Sequence, residues 1–189
     1  MKKFLYIIIA CLIAVITFTL LFIKTGESNM TNNKVLVAYF SATGNTKTIA
    51  EKLANEIGAD LFEIKPAQIY TDDDLNWQND KSRSSVEMAD RNSRPEIASK
   101  IDDFAQYKTV FIGFPIWWGR EPSIIDTFME SYDFAGKTII PFATSGSSDI
   151  GNSGEIIQSL VPNATVLYGK RFSTSVSDTE LKNWAIEQM

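Results

Sequence analysis

The sequence contains no histidine and only one cysteine among its 189 residues. Histidine is the side chain best suited to proton transfer near neutral pH and the commonest nitrogen ligand of metals, so Ser-His-Asp and Cys-His catalysis are excluded. The single cysteine, Cys11, lies in an N-terminal apolar run, which leaves the rest of the chain without a disulfide, a thiol redox couple or a cysteine metal site. Any redox chemistry must therefore come from a bound cofactor.

Charge is missing from Phe4 to Ile23, a run of 20 residues that follows Lys2 and Lys3. At about 1.5 Å per residue, a helix of this length crosses a hydrocarbon layer of roughly 30 Å, so we predict an uncleaved membrane anchor over residues 1–24. Two lysines before the run, against Lys24 alone after it, predict a cytoplasmic N-terminus and a membrane-anchored domain outside the cytoplasm.

Two other interpretations of this apolar run stay open. A cleaved signal peptide usually has a shorter apolar stretch of about 7 to 15 residues and a small-residue cleavage site, and no good Ala-x-Ala appears near Lys24. The stretch Ile8-Ile9-Ala10-Cys11 resembles a bacterial lipoprotein cleavage box, although the chain stays apolar for 12 residues beyond Cys11. A secreted form or a lipoprotein is therefore the alternative to the anchor.

The segment 25–33 is small and polar and is expected to act as a short linker. The remaining residues, 34–189, are enough for one globular domain with an apolar core. Once the charged residues of the first 33 are set aside, 15 basic residues stand against 22 acidic ones, a net charge of about −7. Such a charge argues against nucleic acid as a partner.

Apolar strand-like runs alternate with helical patterns along this domain. Strands are predicted at Lys34–Phe40, Leu61–Ile64, Thr109–Phe114, Lys137–Ala143 and Thr165–Tyr168. Helices are predicted at Thr46–Ile57, Pro95–Phe104, Ser123–Met129, Ser153–Leu160 and Asp178–Gln188, with Gly58 and Ser177 as caps. This alternation predicts an α/β fold in which a doubly wound, five-stranded parallel sheet is covered by helices on both faces.

The first strand runs into a loop of hydroxyl-bearing residues and one glycine, Ser41-Ala42-Thr43-Gly44-Asn45-Thr46. Free N–H groups and the dipole at a helix N-terminus favour an anion at such a loop. The glycine and lysine pattern of a Walker phosphate loop is missing, and so is the Gly-x-Gly-x-x-Gly fingerprint. We therefore expect the loop to hold a single terminal phosphate. The alternative is that Ser41 and Thr46 only cap the helix.

Two further loops follow the third and fourth strands. The stretch GFPIWWGREP, residues 113–122, places Trp117 and Trp118 side by side. Neighbours in an extended loop face opposite ways, so one tryptophan can pack inward while the other offers its ring to an aromatic ligand. The stretch ATSGSSDIGNS, residues 143–153, is small and polar, and its glycines let the backbone approach a ligand closely. With the strand order 2-1-3-4-5, all three loops meet at the switch point between strands one and three.

Together, SATGNT, PIWWG and PFATSGSSDIG resemble the loops of the bacterial flavodoxin-like family that carries a Trp-Trp pair, and the resemblance runs from Lys34 to the C-terminus. Flavodoxins, the standard example of FMN held at such a switch point, shuttle single electrons. The resemblance implies that the phosphate is held by Ser41, Thr43, Gly44, Asn45 and Thr46. It implies that the isoalloxazine ring is lined by Pro115, Ile116, Trp117, Trp118, Gly119, Thr144, Ser145 and Gly146. Ala42 and Asp149 complete the predicted FMN-binding residues.

The sequence departs from the family pattern in its third loop, which lacks the tyrosine that flanks the flavin in many flavodoxins. Trp77, in a long polar insert after the second strand that is expected to be irregular, is a candidate to cover the ring or a core residue. In the same insert, Asp72-Asp73-Asp74 is expected to form a solvated turn rather than a metal site.

The resemblance implies a membrane-tethered electron carrier that works with redox partner proteins, a reductase as donor and an unidentified acceptor, and we expect it to be a monomer. An acidic surface disfavours anionic reduced flavin, which suits an electron donor. The Trp118-Gly119 peptide is the expected hydrogen-bond acceptor for the reduced flavin nitrogen. Two alternatives stay open: an FMN-dependent NAD(P)H or quinone reductase, and a noncatalytic binding domain that has lost FMN. The intact phosphate loop argues against the second.

Overall fold

Six β-strands and five α-helices alternate along the part of the chain that the computed structural model describes, residues 34–189. The strands are β1 (Lys34–Tyr39), β2 (Asp60–Glu63), β3 (Tyr107–Pro115), β4 (Thr138–Thr144), β5 (Thr165–Val166) and β6 (Lys170–Phe172). The helices are α1 (Asn45–Ile57), α2 (Arg83–Ala89), α3 (Ser123–Glu130), α4 (Ser153–Leu160) and α5 (Asp178–Gln188), with a 3₁₀ turn at Phe104–Gln106.

The predicted membrane anchor and linker, residues 1–33, lie outside the described residues, and both stay predictions. Within residues 34–189, the helices are all too short or too polar to cross a bilayer.

The strands form one parallel sheet in the order β2-β1-β3-β4-β5, with β6 also paired to β4. In the middle of the sheet, Val37 of β1 lies opposite Leu61 of β2 and Phe111 of β3. The α/β class and the strand order predicted from the sequence are confirmed. Because the order reverses between β1 and β3, the loops after these strands open a crevice at the carboxyl edge of the sheet.

The fifth strand of the sheet is present in two pieces. Thr165 and Val166 pair with β4, and pairing resumes only at Lys170, with one extra residue in between on the outer strand. The interruption lies opposite Pro141, which has no N–H group to donate to a neighbouring strand. Gly169 fits against this proline, since a Cβ there would lie 2.8 Å from the Pro141 carbonyl oxygen. The predicted strand Thr165–Tyr168 therefore ends early, at Val166, and the second piece, Lys170–Phe172, was not predicted.

The core lies on both faces of the sheet because alternate side chains of each strand point to opposite sides. From β1, Leu36 and Ala38 pack with the apolar side chains of α3 and α4. Val37 and Tyr39 pack on the other face with those of α1 and α5. This two-sided burial explains why the strands are apolar runs without polar alternation.

The insert between β2 and β3 differs from the prediction in two places. The predicted helix Pro95–Phe104 is wrong: Ala67 N–H donates to Glu96 O at 2.8 Å and Ala98 N–H donates to Lys65 O at 2.8 Å, so this backbone pairs with the segment after β2. A helix forms instead at α2, where the Ser82 side chain accepts a hydrogen bond from Ser85 N–H. With only seven residues, α2 is too short to show a clear helical period in the sequence.

Candidate functional site

The first loop ends in a helix N-terminus that no side chain of the described residues caps. Gly44 occupies the N-cap position with φ 90°, and the first turn of α1 contains no acidic residue. The hydroxyl of Ser41 accepts a hydrogen bond from Gly44 N–H at 3.1 Å and shapes the loop instead of capping the helix. The capping alternative is therefore wrong, and the first N–H groups of α1 are left to bind an anion.

Thr46 joins the first loop to the third. Its side chain is buried, and its hydroxyl lies 2.8 Å from the hydroxyl of Thr144 at the end of β4. The Thr46 hydroxyl thus has a partner within the protein, and its predicted role in phosphate binding stays a prediction. Its backbone N–H, in the first turn of α1, is a second group suited to an anion.

A cavity of about 410 Å³, which we call the polar cavity, lies between the first and third loops. The predicted residues that line it are Thr43, Asn45, Thr144, Ser145 and Gly146, together with Pro115, Ile116 and Trp117 of the second loop. Hydroxyl, amide and backbone groups thus dominate the side of the cavity that lies next to the start of α1.

A second cavity of about 380 Å³, the apolar cavity, shares a wall with the first one. Thr43, Pro115, Ile116 and Trp117 line both. The rest of its lining is Ala42, Trp118 and three residues of the insert, Leu75, Trp77 and Ser84. The site is therefore a groove with a polar half and an apolar half on either side of the second loop.

Of the two adjacent tryptophans, one packs inward and the other is exposed, as the sequence predicts. Trp117 is half-buried and packs edge-on against Phe40 at 5.6 Å and Tyr70 at 5.4 Å between ring centroids. Trp118 is 51% exposed beside the apolar cavity. Trp77 is 70% exposed and lines the same cavity, so the interpretation of Trp77 as a core residue is wrong.

A small polar network holds the insert against the second loop. Glu87 of α2 accepts hydrogen bonds from the Tyr70 hydroxyl at 2.5 Å and from Arg83 Nε at 2.6 Å. The Arg83 guanidinium lies over the Tyr70 ring, 3.9 Å from its centroid. Burial, followed by the hydrogen bond to Glu87, raises the pKa of Tyr70 well above its ordinary value. Tyr70 is thus a neutral donor, and its ring supports Trp117 from the side of the insert.

The second loop turns at Trp118 and Gly119, which have φ values of 47° and 80°. Trp117 and Arg120 exchange backbone hydrogen bonds of 2.9 and 3.1 Å across this two-residue turn. A bulky residue at positive φ is strained, and such strain is concentrated at functional sites. The Gly119 carbonyl oxygen packs on the third loop, since a Cβ on Gly151 would lie 2.4 Å from it.

Five of the predicted residues line neither cavity: Ser41, Gly44 and Thr46 of the first loop, and Gly119 and Asp149. Gly119 is exposed in the turn, and its carbonyl faces Gly151. Asp149 is exposed on the third loop, where its carboxylate accepts a hydrogen bond from Ile150 N–H at 2.8 Å. For Gly119 and Asp149, a direct role in cofactor binding stays a prediction.

A family model described as Flavodoxin matches residues 34–189, the whole of the described domain. The chain belongs to the flavodoxin family. A solved structure of a candidate flavoprotein from Bacteroides eggerthii is 47% identical with a TM-score of 0.78, covering 82% of this chain and 97% of that one. One from Bacteroides uniformis is 49% identical with a TM-score of 0.78, covering 82% and 98%.

A flavoprotein from Lactobacillus acidophilus, solved in complex with FMN, is also similar to this flavodoxin-family chain. Its identity is 25% and its TM-score is 0.61, covering 81% of this chain and 99% of that one. No curated protein sequence matches the chain.

Sequence reasoning missed several residues of this flavodoxin-family site. Arg171 and Phe172 of β6, with Ser173 and Thr174 after them, complete the polar cavity. Leu75 and Ser84 of the insert line the apolar one. Arg171 could have been found, because the carboxyl end of a fifth strand lies beside that of the fourth. The insert residues carry no such signal, because their position depends on how an irregular segment folds back.

Proposed function

We propose that this flavodoxin-family domain binds FMN noncovalently and acts as an electron carrier. The observation that carries the proposal is the uncapped start of α1, which opens into a hydroxyl-lined cavity that shares a wall with an apolar cavity beside two exposed tryptophans. FMN has two matching parts, a polar chain that ends in phosphate and a flat, largely apolar ring. The FMN complex of the Lactobacillus acidophilus flavoprotein supports the same cofactor here.

The residues of the polar cavity fit the phosphate. The first N–H groups of α1 and its dipole attract the anion, and the side chains of Thr43 and Asn45 add donors beside them. The residues of the apolar cavity fit the ring, because Ile116, Trp118 and Trp77 offer apolar or aromatic surface. When bound, FMN supplies the electron-transfer chemistry. The protein residues bind and orient the cofactor and exclude water from it.

The apolar cavity also favours a second candidate, an FMN-dependent NAD(P)H or quinone reductase. Trp77 and Trp118 leave large parts of their rings exposed beside this cavity. A planar substrate could stack there, whereas a carrier needs only an exposed ring edge for electron transfer. The two functions differ in how the reduced cofactor is produced, and kinetics can separate them.

The proposal is tested by adding FMN to the purified protein and recording its absorbance spectrum and affinity. We expect a yellow protein that binds FMN more tightly than riboflavin. Thr43→Val should weaken FMN binding by roughly 10-fold and leave riboflavin binding nearly unchanged, because a hydrogen bond to a charged group contributes about 1.5 to 3 kcal/mol. Thr179→Val, in the exposed first turn of α5, is the matched control and should change neither affinity. A colourless protein that takes up no FMN would overturn the proposal.

A further inference from the structure

Arg171 places a positive charge in the wall of the polar cavity. It lies in β6, in register with Ala143 of β4, and is half-buried. The same cavity is lined by Thr43 and Asn45 at the start of α1. The guanidinium and the anion-binding helix end therefore border one space.

The guanidinium of Arg171 has few partners within the described residues. Its hydrogen bond is a long one, 3.4 Å from Nη1 to the Ser145 carbonyl oxygen, and no carboxylate of residues 34–189 lies within 4.0 Å of it. A guanidinium has five N–H donors, so most of its hydrogen-bonding capacity is unused.

The other arginines that are buried or half-buried behave differently. Arg83 lies 2.6 Å from Glu87, Arg94 lies 2.7 Å from Glu130, and Arg120 lies 3.3 Å from Glu121. In a domain with 22 acidic residues, a half-buried arginine without a carboxylate is a specific feature. Because removing a charge from water without a counterion is costly, this position favours an external anion.

We propose that Arg171 binds the phosphate of FMN and, together with the first loop, makes this site select FMN over riboflavin. The inference rests on the proposed function and extends it to a residue outside the three flavin loops. Arg171 shares the polar cavity with the hydroxyl groups of Thr43 and Thr144 and the amide of Asn45, and the apolar cavity does not include it. These neighbours suit a phosphate, and a guanidinium matches phosphate oxygens with two parallel donors.

The charge of the domain favours a positive residue at this position. The domain carries about −7, so a phosphate dianion is repelled at long range. The partial positive charge at the start of α1 is equivalent to roughly half an elementary charge, which compensates only part of the dianion. Arg171 supplies a full positive charge inside the cavity.

The test compares FMN with riboflavin, which lacks only the phosphate, on full-length protein purified in mild detergent. Dissociation constants come from flavin fluorescence for wild type, Arg171→Gln and Arg171→Lys. Lys170→Gln is the matched control: it removes the same charge one residue away, from a side chain that pairs with Glu180 at 3.1 Å and points to the opposite face. We expect Arg171→Gln to weaken FMN binding by roughly 10- to 100-fold, riboflavin binding by less than about threefold, and Lys170→Gln to change neither.

Ionic strength gives a second readout. Added salt should weaken FMN binding to wild type more than riboflavin binding, and this difference should shrink in Arg171→Gln. If Arg171→Gln does not fold, Arg171→Lys provides the test, because lysine keeps the charge but loses the paired donors. It should still weaken FMN binding several-fold more than riboflavin binding.

Equal losses for both flavins would overturn the inference, because Arg171 would then act on the ring or only on the third loop through Ser145. Unchanged affinities in Arg171→Gln would overturn it as well. Failure of the wild type to bind either flavin is a different result, and it would overturn the proposed function.

Discussion

Glu121 is a fully buried carboxyl two residues after the strained turn of the second loop. One nitrogen of Arg120, Nη1, lies 3.3 Å from Glu121 Oε1 and 3.4 Å from Asp126 Oδ2, and Arg94 Nη1 lies 3.8 Å from the same Asp126 oxygen. Burial, with a smaller contribution from the charge of Asp126, raises the pKa of Glu121 to about 7. Burial also raises the pKa of Asp126. A chain without histidine thus contains a group that titrates near neutral pH.

This raised pKa makes stability depend on pH in a definite direction. Between the ordinary value of 4.5 and about 7, the folded chain keeps a proton on Glu121 that the unfolded chain releases. The contribution of Glu121 to the free energy of unfolding therefore falls as pH rises through this window, by at most about 1.4 kcal/mol per pH unit, and is constant above it.

Glu121→Gln should remove this dependence, because glutamine keeps the shape of the side chain and has no proton to lose. We expect the stability difference between variant and wild type to move in favour of the variant from pH 5 to pH 8, measured by urea unfolding. Glu96→Gln, on an exposed side chain of the insert, is the control and should give a curve parallel to wild type. A Glu121→Gln curve that also runs parallel to wild type would contradict the assignment.

At the scale of elements, the second and third loops touch through two glycines. Gly151 has φ 63°, and a Cβ there would lie 2.4 Å from the Gly119 carbonyl oxygen. Gly151→Ala should therefore displace the Trp118-Gly119 turn, lower stability by about 1 to 3 kcal/mol and weaken FMN and riboflavin equally, because it disturbs the ring side of the site. The measurements are urea unfolding and the two flavin dissociation constants.

Gly154→Ala is the matched control for that substitution. It lies three residues further on, in α4, and a Cβ there meets no atom within 4 Å. Alanine is favoured over glycine in a helix by up to about 1 kcal/mol, so this variant should be as stable as wild type or slightly more stable. A Gly151→Ala variant that behaves like Gly154→Ala would show that the two loops are not coupled.

The elements that the sequence predicted well are those with strong local signals. The helix ending at Gly58 and the helix starting after Ser177 were placed within one residue, because left-handed glycine and a serine N-cap mark their ends. The insert was predicted poorly, because residues 96–98 within the predicted helix pair through their backbone with residues 65–67. The fifth strand is interrupted opposite Pro141 of β4. This interruption could not be predicted from the sequence of the fifth strand alone.

The candidate site also has parts that were predicted from the sequence and parts that were not. The three loops were located because the carboxyl ends of neighbouring parallel strands converge, and Trp117 and Trp118 divide between packing and exposure as expected. The partner of the Thr46 hydroxyl was not predictable, because it is Thr144, 98 residues away. The contribution of Leu75 and Trp77 likewise depends on how the insert folds onto the second loop.

At the scale of the whole molecule, the charge distribution favours protein partners of opposite charge. The domain carries about −7, while three of its buried or half-buried arginines are paired with carboxylates of the domain itself. The net field that a partner meets at long range is therefore negative. Such a field speeds association with a basic surface and does little for a neutral quinone.

The final prediction uses this field to separate a carrier from a reductase. We expect the FMN-loaded protein to be reduced slowly by NADH or NADPH alone and quickly by a flavoprotein reductase with a basic docking face. In stopped-flow measurements, the second rate should fall as the Debye length shortens from roughly 30 Å at 0.01 M salt to about 8 Å at 0.15 M. Direct reduction by nicotinamide should change far less, because it does not depend on docking two charged protein surfaces. Rapid turnover of NAD(P)H with a quinone, together with a partner rate that salt does not alter, would assign the protein to the reductases.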